Sequence, residues 1–269
     1  MPGTTGEPCN MKVCPRALLA IIVACACASS HAAGSLERVS TRSGVKISVF
    51  WERTEGAKST VLLFPGGDGG LGRVEEGRAT SDNLLVRMVP QFVANGFNVA
   101  IFGRQIGGPG LNFADRIEEE HITDIRKVLE FVKKQSAAPV WLVGSSRGTI
   151  SATAAAIAIR EPPIAGLVLT SSVVNYGKAG AVPNQDLSAI RIPVLVYHHA
   201  KDACVSSPPN GVPLIIEGLV NAPVKKLVMA MGGANPSGDA CKGRDWHAFA
   251  GMEKELIDAI SAWIRNPAP

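Results

Sequence analysis

A serine flanked by two glycines is the feature of this sequence that most directly suggests chemistry. The segment Gly144-Ser-Ser-Arg-Gly148 follows the apolar run Val140–Val143 and precedes an alanine-rich stretch. A serine on a tight strand-to-helix turn holds its hydroxyl clear of the sheet, and the two glycines remove side chains that would collide across the turn. The register makes Ser146, rather than Ser145, the predicted nucleophile. Such a hydroxyl attacks a carbonyl carbon and forms an acyl intermediate.

The elements that must position this serine follow from the periodicity of the apolar residues. We predict strands at Val45–Trp51, Thr60–Phe64, Asn98–Phe102, Val140–Val143, Gly166–Leu169, Val194–Tyr197 and Lys226–Met229, the first of them at a sheet edge. We predict helices from Ser81 or Asp82 to Asn95-Gly96 with an interruption at Pro90, from Asp115 to about Gln135, from about Gly148 to Ile159, and from Met252 to Ile264. This alternation predicts an α/β fold with a mostly parallel central sheet flanked by helices. Ligands bind at the carboxyl ends of the strands in such sheets, so functional residues are expected in the loops that follow them.

The chain resembles the α/β-hydrolases from its first strands to its last helix. In that family the nucleophile is followed along the chain by an acid and then a histidine. Asp202 lies just past the strand Val194–Tyr197, and His247 lies in Asp245-Trp-His-Ala-Phe249 before the closing helix. The resemblance therefore implies a triad of Ser146, Asp202 and His247. In acyl transfer His247 takes the proton from Ser146, and Asp202 holds the imidazole in the correct tautomer.

The sequence contains other histidines and acids that are alternative partners of the serine. His198 and His199 lie close to Asp202 in sequence, but they are not on the segment that holds the histidine in the family. They are either ordinary polar residues at a strand end or residues that help to shape the site. Together with an Asp they also suggest a metal site, but no further cluster at ligand spacing accompanies them, so we expect no metal. Asp239 and Asp245 lie on the histidine's own loop and are expected to be solvated or to cap turns.

The glycine-rich segment after the second predicted strand is the candidate for the oxyanion hole. In the family one donor is the N–H of the residue after the nucleophile, here Arg147, and a second comes from a loop after an early strand. Pro65-Gly66-Gly67-Asp68 occupies that loop and is similar to the family's His-Gly-Gly segment, with Pro in place of His. We expect Gly67 to be the second donor, with Asp68 next. A plain glycine-rich turn is one alternative, and a phosphate-binding loop is a weaker one, because no Lys-Ser/Thr follows the glycines.

The first 33 residues have the pattern of a secretory signal peptide. Lys12 and Arg16 precede an apolar run, and small residues follow it. This run is shorter than the roughly 18 apolar residues that a permanent span needs. We predict cleavage after Ala32 or Ala33, a hydrolase domain at 34–269, and a periplasmic or secreted protein with no stable membrane span after cleavage. An uncleaved anchor, or a lipoprotein modified at Cys25, is the alternative.

Export changes the interpretation of the six cysteines. Four of them precede residue 33, which leaves Cys204 and Cys241 in the expected mature chain. Two cysteines in an oxidising compartment are expected to pair. Because they lie on the acid and histidine loops that the resemblance implies, a disulfide would tie these loops together beside the active site. Two free thiols are the alternative.

Composition and loop lengths narrow the function further. The net charge of +4 is spread along the chain without a basic stripe, so nucleic acid is not an expected partner. The short segment between Leu169 and Val194 leaves room for a loop but not for a large cap domain. We therefore expect an open site, a small-molecule ester substrate and no cofactor. A serine nucleophile argues against epoxide and haloalkane hydrolysis, which need an Asp.

Several functions with the same residues stay open at the level of sequence. Thioesters, amides and peptides are chemically possible substrates, and an acyltransferase would use the same triad with an alcohol in place of water. A non-catalytic binding protein on the same fold is a further alternative. Arg147 either contacts an anionic group of the substrate or is a surface arginine at the start of a helix. We expect a serine hydrolase that cleaves carboxylic esters.

Overall fold

The computed structural model describes residues 1–3, 6 and 33–269. The strands are β1 (Ser35–Arg42), β2 (Val45–Glu52), β3 (Thr60–Phe64), β4 (Val74–Glu75), β5 (Arg78–Ala79), β6 (Asn98–Gln105), β7 (Val140–Ser145), β8 (Gly166–Thr170), β9 (Val194–His199) and β10 (Lys225–Ala230). The α-helices are α1 (Leu84–Arg87), α2 (Val89–Ala94), α3 (Glu119–Gln135), α4 (Gly148–Ala158), α5 (Pro213–Gly218) and α6 (Glu253–Arg265). The apolar run of the predicted signal peptide, together with Cys9, Cys14, Cys25 and Cys27, lies outside the described residues.

Eight of these strands form one sheet in the order β1-β2-β6-β3-β7-β8-β9-β10. From β6 to β10 all neighbouring strands are parallel, whereas β1 pairs with β2, and β2 with β6, in antiparallel fashion. Strands β4 and β5 form a separate small hairpin. The predicted α/β class with a mostly parallel sheet is confirmed.

The edge of the sheet differs from the prediction. The strand predicted at the edge, β2, is the second strand, because β1 lies outside it and is joined to it through Ser43-Gly44. Of the residues in β1 only Thr41 is buried, and charged and hydroxyl side chains fill most of the strand. An edge strand of this kind has no apolar periodicity, so the sequence pattern does not reveal it.

Two predicted helices begin or divide at different residues. The side chain of Asn83, not of Ser81 or Asp82, caps α1 by accepting from the N–H of Leu85. The helix divides at Met88 into α1 and α2, and Pro90 lies in the first turn of α2, where its missing N–H leaves no helical bond unmade. The helix predicted from Asp115 begins as the 3-10 turn Asp115–Ile117 and then breaks before α3.

Helices cover both faces of the sheet, which explains the continuous apolar runs in its central strands. On one face Leu62 and Phe64 pack against α3 and α4, and on the other Val61 and Leu63 pack against α1, α2 and α6. Because both faces are buried, only the ends of the strands and the loops are open to ligands.

The connection between β8 and β9 is short. Residues 171–193 contain two 3-10 turns and no α-helix, so no cap domain lies over the sheet at this point. Among the helices in the described part of the chain, none has the length and apolarity that crossing a bilayer requires.

Candidate active site

The turn between β7 and α4 holds Ser146 in a conformation that is rare for a residue with a side chain. Its φ is +53°, a left-handed geometry that typically costs about 1–3 kcal/mol and persists only where the surrounding structure holds it. Here its N–H donates to the carbonyl of Thr170 (3.1 Å), and its carbonyl accepts from the N–H (2.9 Å) and the hydroxyl (2.6 Å) of Thr149. A Cβ on Gly148 would lie 1.9 Å from the carbonyl oxygen of Phe64, so this end of the turn requires glycine.

Asp202 follows β9 and is buried. Its Oδ1 accepts from the N–H of Cys204 (2.9 Å), and its Oδ2 lies 2.8 Å from Nδ1 of His247 and 3.3 Å from Nε2 of His198. Burial by itself raises the pKa of Asp202, but the hydrogen bonds from His198 and His247 outweigh it and lower the pKa below its ordinary value. The carboxylate is therefore ionised at neutral pH.

His247 lies in the 3-10 turn Trp246–Ala248, which Asp245 caps by accepting from the N–H of Trp246 (2.7 Å). Its carbonyl accepts from the hydroxyl of Ser171 (2.6 Å), and the ring is buried. Because Nδ1 faces a carboxylate, that nitrogen holds the proton of the neutral imidazole, and Nε2 has the free lone pair. Nε2 is buried and makes no hydrogen bond with any described residue, Ser146 included.

A cavity of about 400 Å³ is lined by the predicted site residues other than the buried Asp202. Ser146 and His247 line it, together with the three oxyanion-hole candidates Gly67, Asp68 and Arg147. The backbone N–H groups of these three make no hydrogen bond within the described part of the chain. The carboxylate of Asp68 forms an ion pair with Arg104 (2.8 Å).

Solved structures of other proteins share this arrangement of strands and helices. A lid-less α/β serine hydrolase from Xanthomonas campestris matches with a TM-score of 0.61 at 19% identity, over 88% of this chain and 95% of that one. An esterase from Pyrococcus furiosus matches with a TM-score of 0.62 at 16% identity, over 86% of this chain and 91% of that one. A serine hydrolase homologue from Coxiella burnetii matches with a TM-score of 0.60 at 16% identity, over 87% of this chain and 97% of that one. The chain has the α/β-hydrolase fold.

No protein-family model matches the sequence, and no curated protein matches it. Identities below 20% to the three structures above establish the α/β-hydrolase fold but not a substrate. The evidence for a function therefore lies in the residues of this chain's own site.

The predicted disulfide between Cys204 and Cys241 is present. It joins the loop of Asp202 to the segment that leads to His247, two parts of the chain that α5 and β10 separate in sequence. Cys204 is also the residue whose N–H binds the Asp202 carboxylate. The bridge therefore bears directly on the distance between the acid and the histidine.

His199, an alternative partner of the serine in the sequence, has a different environment. Its Nδ1 accepts from the N–H of Lys201 (3.1 Å), and its Nε2 donates to the carbonyl of Gly232 (3.2 Å). The ring stacks on Trp246, with centroids 4.8 Å apart and planes 2° from parallel. Burial lowers its pKa, which keeps the ring neutral. His199 therefore supports the turn next to His247 and does not face the serine.

The remaining candidates occupy supporting positions. Asp239 accepts from the N–H of Cys241 (2.8 Å) and Asp245 from that of Trp246, so both act in local turns. The guanidinium of Arg147 lies over the ring of Phe113, 4.3 Å from its centroid. Within the described residues no group of three or more His, Cys, Asp or Glu side chains is arranged to hold a metal ion.

Three site residues have contacts that the sequence did not predict. His198 lies against Asp202, Ser171 holds the His247 carbonyl, and Arg116 binds the carbonyl of Gly67. Sequence analysis left His198 open as a residue that helps to shape the site, and its spacing of four residues before the acid is the signal for that role. Ser171 and Arg116 give no such signal, because their partners are 76 and 49 residues away along the chain.

Proposed function

We propose that this chain is a serine hydrolase that cleaves carboxylic esters through an acyl-enzyme. The observation that supports it most is the buried pair of His247 and Asp202, because His247 lines the same cavity as Ser146 and its Nε2 has no hydrogen-bond partner among the described residues. The left-handed turn at Ser146 supports it further, since strained backbone of this kind is concentrated at functional sites.

In the proposed first half-reaction His247 is the general base. Its Nε2 takes the proton from the Ser146 hydroxyl as the oxygen attacks the ester carbonyl, and the carbonyl oxygen becomes an oxyanion. When the tetrahedral species collapses, the bond to the alcohol oxygen breaks and His247 returns the proton to the departing alkoxide. A water then repeats the sequence on the acyl-enzyme and releases the acid.

Asp202 holds the imidazole in the required tautomer and stabilises the imidazolium as it forms. Its lowered pKa supports this role, because only an ionised carboxylate stabilises the developing positive charge. The N–H groups of Gly67 and Arg147 are the proposed oxyanion donors, with Asp68 as the alternative in the loop. Their lack of hydrogen-bond partners among the described residues, next to the nucleophile, supports that assignment.

The walls of the cavity favour a small and polar ester. Besides glycines, the lining is mainly charged and hydroxyl-bearing, and Leu84 and Ala248 are its aliphatic members. A long acyl chain needs an apolar wall, since each buried CH₂ contributes about 0.8 kcal/mol only where water is excluded. We therefore propose acetyl and similarly short acyl esters as substrates, and we expect kcat/KM to fall from the acetate to the octanoate ester.

The decisive experiment compares p-nitrophenyl acetate hydrolysis by the wild-type protein and by Ser146→Ala. We expect the variant to lose about a thousandfold or more in kcat/KM. Ser145→Ala is the matched control, because it changes the neighbouring serine of the same motif, and it should keep most of the activity. Equal rates in wild type and Ser146→Ala would rule out the triad.

Covalent labelling tests the nucleophile without relying on a chosen ester. A fluorophosphonate probe should modify the wild-type protein once, and mass spectrometry of the peptides should locate the adduct on Ser146. His247→Ala should react far more slowly, because the hydroxyl then lacks its base. Equally fast labelling of Ser146→Ala would contradict the proposal.

We also propose that the chain is exported and that its signal peptide is cleaved after Ala32 or Ala33. The Cys204–Cys241 disulfide supports an oxidising compartment. Cell fractionation followed by the intact mass of the exported protein tests this. A mature chain that begins at residue 33 or 34 is expected, whereas a lipidated chain that begins at Cys25 would identify a lipoprotein.

A further inference from the structure

Arg116 is a buried cation beside the glycine-rich loop of the site. It lies in the 3-10 turn Asp115–Ile117 and is 1% exposed. Among the described residues no carboxylate lies within ion-pair distance of its guanidinium. Burying a charge without such a partner is costly, so the groups that do bind it must stabilise it. Burial and the nearby charge of Arg147 lower its pKa to about 10, which leaves it protonated at neutral pH.

The two terminal nitrogens of Arg116 bind two different elements of the site. Nη2 donates to the carbonyl of Gly67 (2.9 Å), and Nη1 donates to the hydroxyl of Ser151 (3.0 Å). Gly67 belongs to the loop after β3, and Ser151 belongs to α4, the helix that follows the nucleophile. These two elements hold the two proposed oxyanion donors. Arg116 therefore connects the two halves of the oxyanion hole.

A neutral histidine, His121, binds the Ser151 hydroxyl that Arg116 also contacts. Nε2 of His121 lies 2.9 Å from the hydroxyl of Ser151. Burial and the charge of Arg116 lower the pKa of His121 to about 3, so the ring is uncharged. With the proton on Nδ1, Nε2 accepts from the Ser151 hydroxyl, and the hydroxyl oxygen accepts from Arg116. The hydrogen bonds then run in one direction, from the guanidinium to the imidazole.

The bond to Gly67 matters because the backbone of a glycine has more conformational freedom than that of any other residue. The φ of Gly67 is +58°, and glycine adopts many backbone conformations in the absence of other constraints. The carbonyl before it, that of Gly66, is held by the N–H of Gly69 (3.1 Å). The carbonyl of Gly67 itself is held by Arg116. In a planar trans peptide the N–H points opposite to the C=O, so these two bonds fix the directions of the N–H groups of Gly67 and Asp68.

We propose that Arg116 is a positioning residue that orients the Gly66-Gly67-Asp68 backbone so that its N–H groups face the oxyanion. This inference rests on the proposed ester hydrolysis, in which that oxyanion forms. Arg116 itself does not contact the reacting atoms. Its contribution should appear where negative charge develops, in kcat and in the binding of transition-state analogues, and not in the binding of the uncharged ester.

The test uses Arg116→Met and Arg116→Lys in the full chain. Methionine fills much of the same volume without a donor, and lysine keeps the charge but cannot bind both Gly67 and Ser151. We expect Arg116→Met to lower kcat for p-nitrophenyl acetate roughly tenfold to a hundredfold with KM changed less than about threefold. The kcat of Arg116→Lys should lie between those of the wild type and Arg116→Met.

A boronic acid separates positioning from a merely structural role. Butaneboronic acid adds to the serine oxygen and presents a tetrahedral oxyanion, so its inhibition constant should rise by the same factor as kcat falls. If Arg116→Met does not fold, as judged by circular dichroism, the same two measurements on Arg116→Lys decide. A folded variant with wild-type kcat and wild-type boronate inhibition overturns the inference but leaves ester hydrolysis intact. A wild-type protein as inactive as Ser146→Ala overturns the proposed function and this inference together.

Discussion

Nε2 of His198 lies 3.3 Å from Oδ2 of Asp202, the same oxygen that His247 contacts from the other side. The same nitrogen lies 3.0 Å from the carbonyl of Ser207. Both neighbours are acceptors, so Nε2 must hold the proton and donate. The Nε2–H group of His198 therefore donates to the Ser207 carbonyl and lies close to the Asp202 carboxylate. Of the two imidazoles beside this carboxylate, His247 lines the cavity and His198 does not.

Removing the His198 donor should impair the proposed ester hydrolysis while leaving the proposed triad in place. A hydrogen bond to a charged group contributes about 1.5–3 kcal/mol, and 1.36 kcal/mol corresponds to a factor of ten in rate. Since this donor is shared with Ser207, we expect His198→Leu to lower kcat about tenfold. His198→Gln retains an N–H donor and should recover part of the loss. Wild-type kcat in folded His198→Leu would show that the second imidazole is dispensable.

The ionisation of Asp202 should make stability depend on pH in a defined direction. Its pKa is lower in the folded chain than the ordinary value of 3.8. A depressed carboxyl pKa adds stability that is fully present above the unfolded value and is lost as the pH falls through the folded one. The difference in free energy of unfolding between wild type and Asp202→Asn should therefore shrink as the pH falls from 6 to 3. Urea titrations measure it, and a difference that stays constant would contradict the assignment.

The disulfide should stabilise both the fold and the geometry of the site. Its cysteines are 37 residues apart, and bridges over loops of this kind typically contribute about 2–4 kcal/mol. We expect Cys204→Ala/Cys241→Ala to unfold at lower urea concentration and to lose the proposed esterase activity, because the loops of Asp202 and His247 are then no longer covalently joined. A reductant should have the same effects on wild type and none on the double variant. Unchanged activity after reduction would show that the bridge stabilises the fold alone.

The approach of the glycine-rich loop to Ser146 predicts a strict size limit at Gly66. A Cβ there would lie 2.8 Å from Cβ of Ser146 and 3.1 Å from the carbonyl oxygen of Ser145. Gly66→Ala must displace the loop, and a shift of about 1 Å at a reacting centre lowers rates by about a hundredfold. The control is Gly177→Ala, where the added Cβ meets only the side-chain oxygen of Asn175 at 3.3 Å. Equal kcat/KM in the two variants would contradict the predicted loop position.

The sequence by itself determined the elements whose physical cause is local. Continuous apolar runs predict β3, β7, β8 and β9 because strands buried on both faces have no polar positions. The two glycines around Ser146 mark the turn because a side chain there would collide with the backbone. By contrast β1 escaped prediction, since a polar edge strand has no apolar period. The sequence also failed to identify Asn83 as the cap of α1, because several neighbouring residues can cap a helix equally well.

Only the tertiary structure decided which side chains meet. The proximity of Asp202 to His247 was inferred from a family resemblance, and the pattern of residues does not contain their distance. His198, Ser171 and Arg116 act on groups that reach them through the crossing of separate loops, with partners as far as 76 residues away for Ser171. Such contacts depend on the register of strands and on how loops fold back over the sheet. Periodicity predicts the strand that a residue follows, but the packed sheet decides what that residue touches.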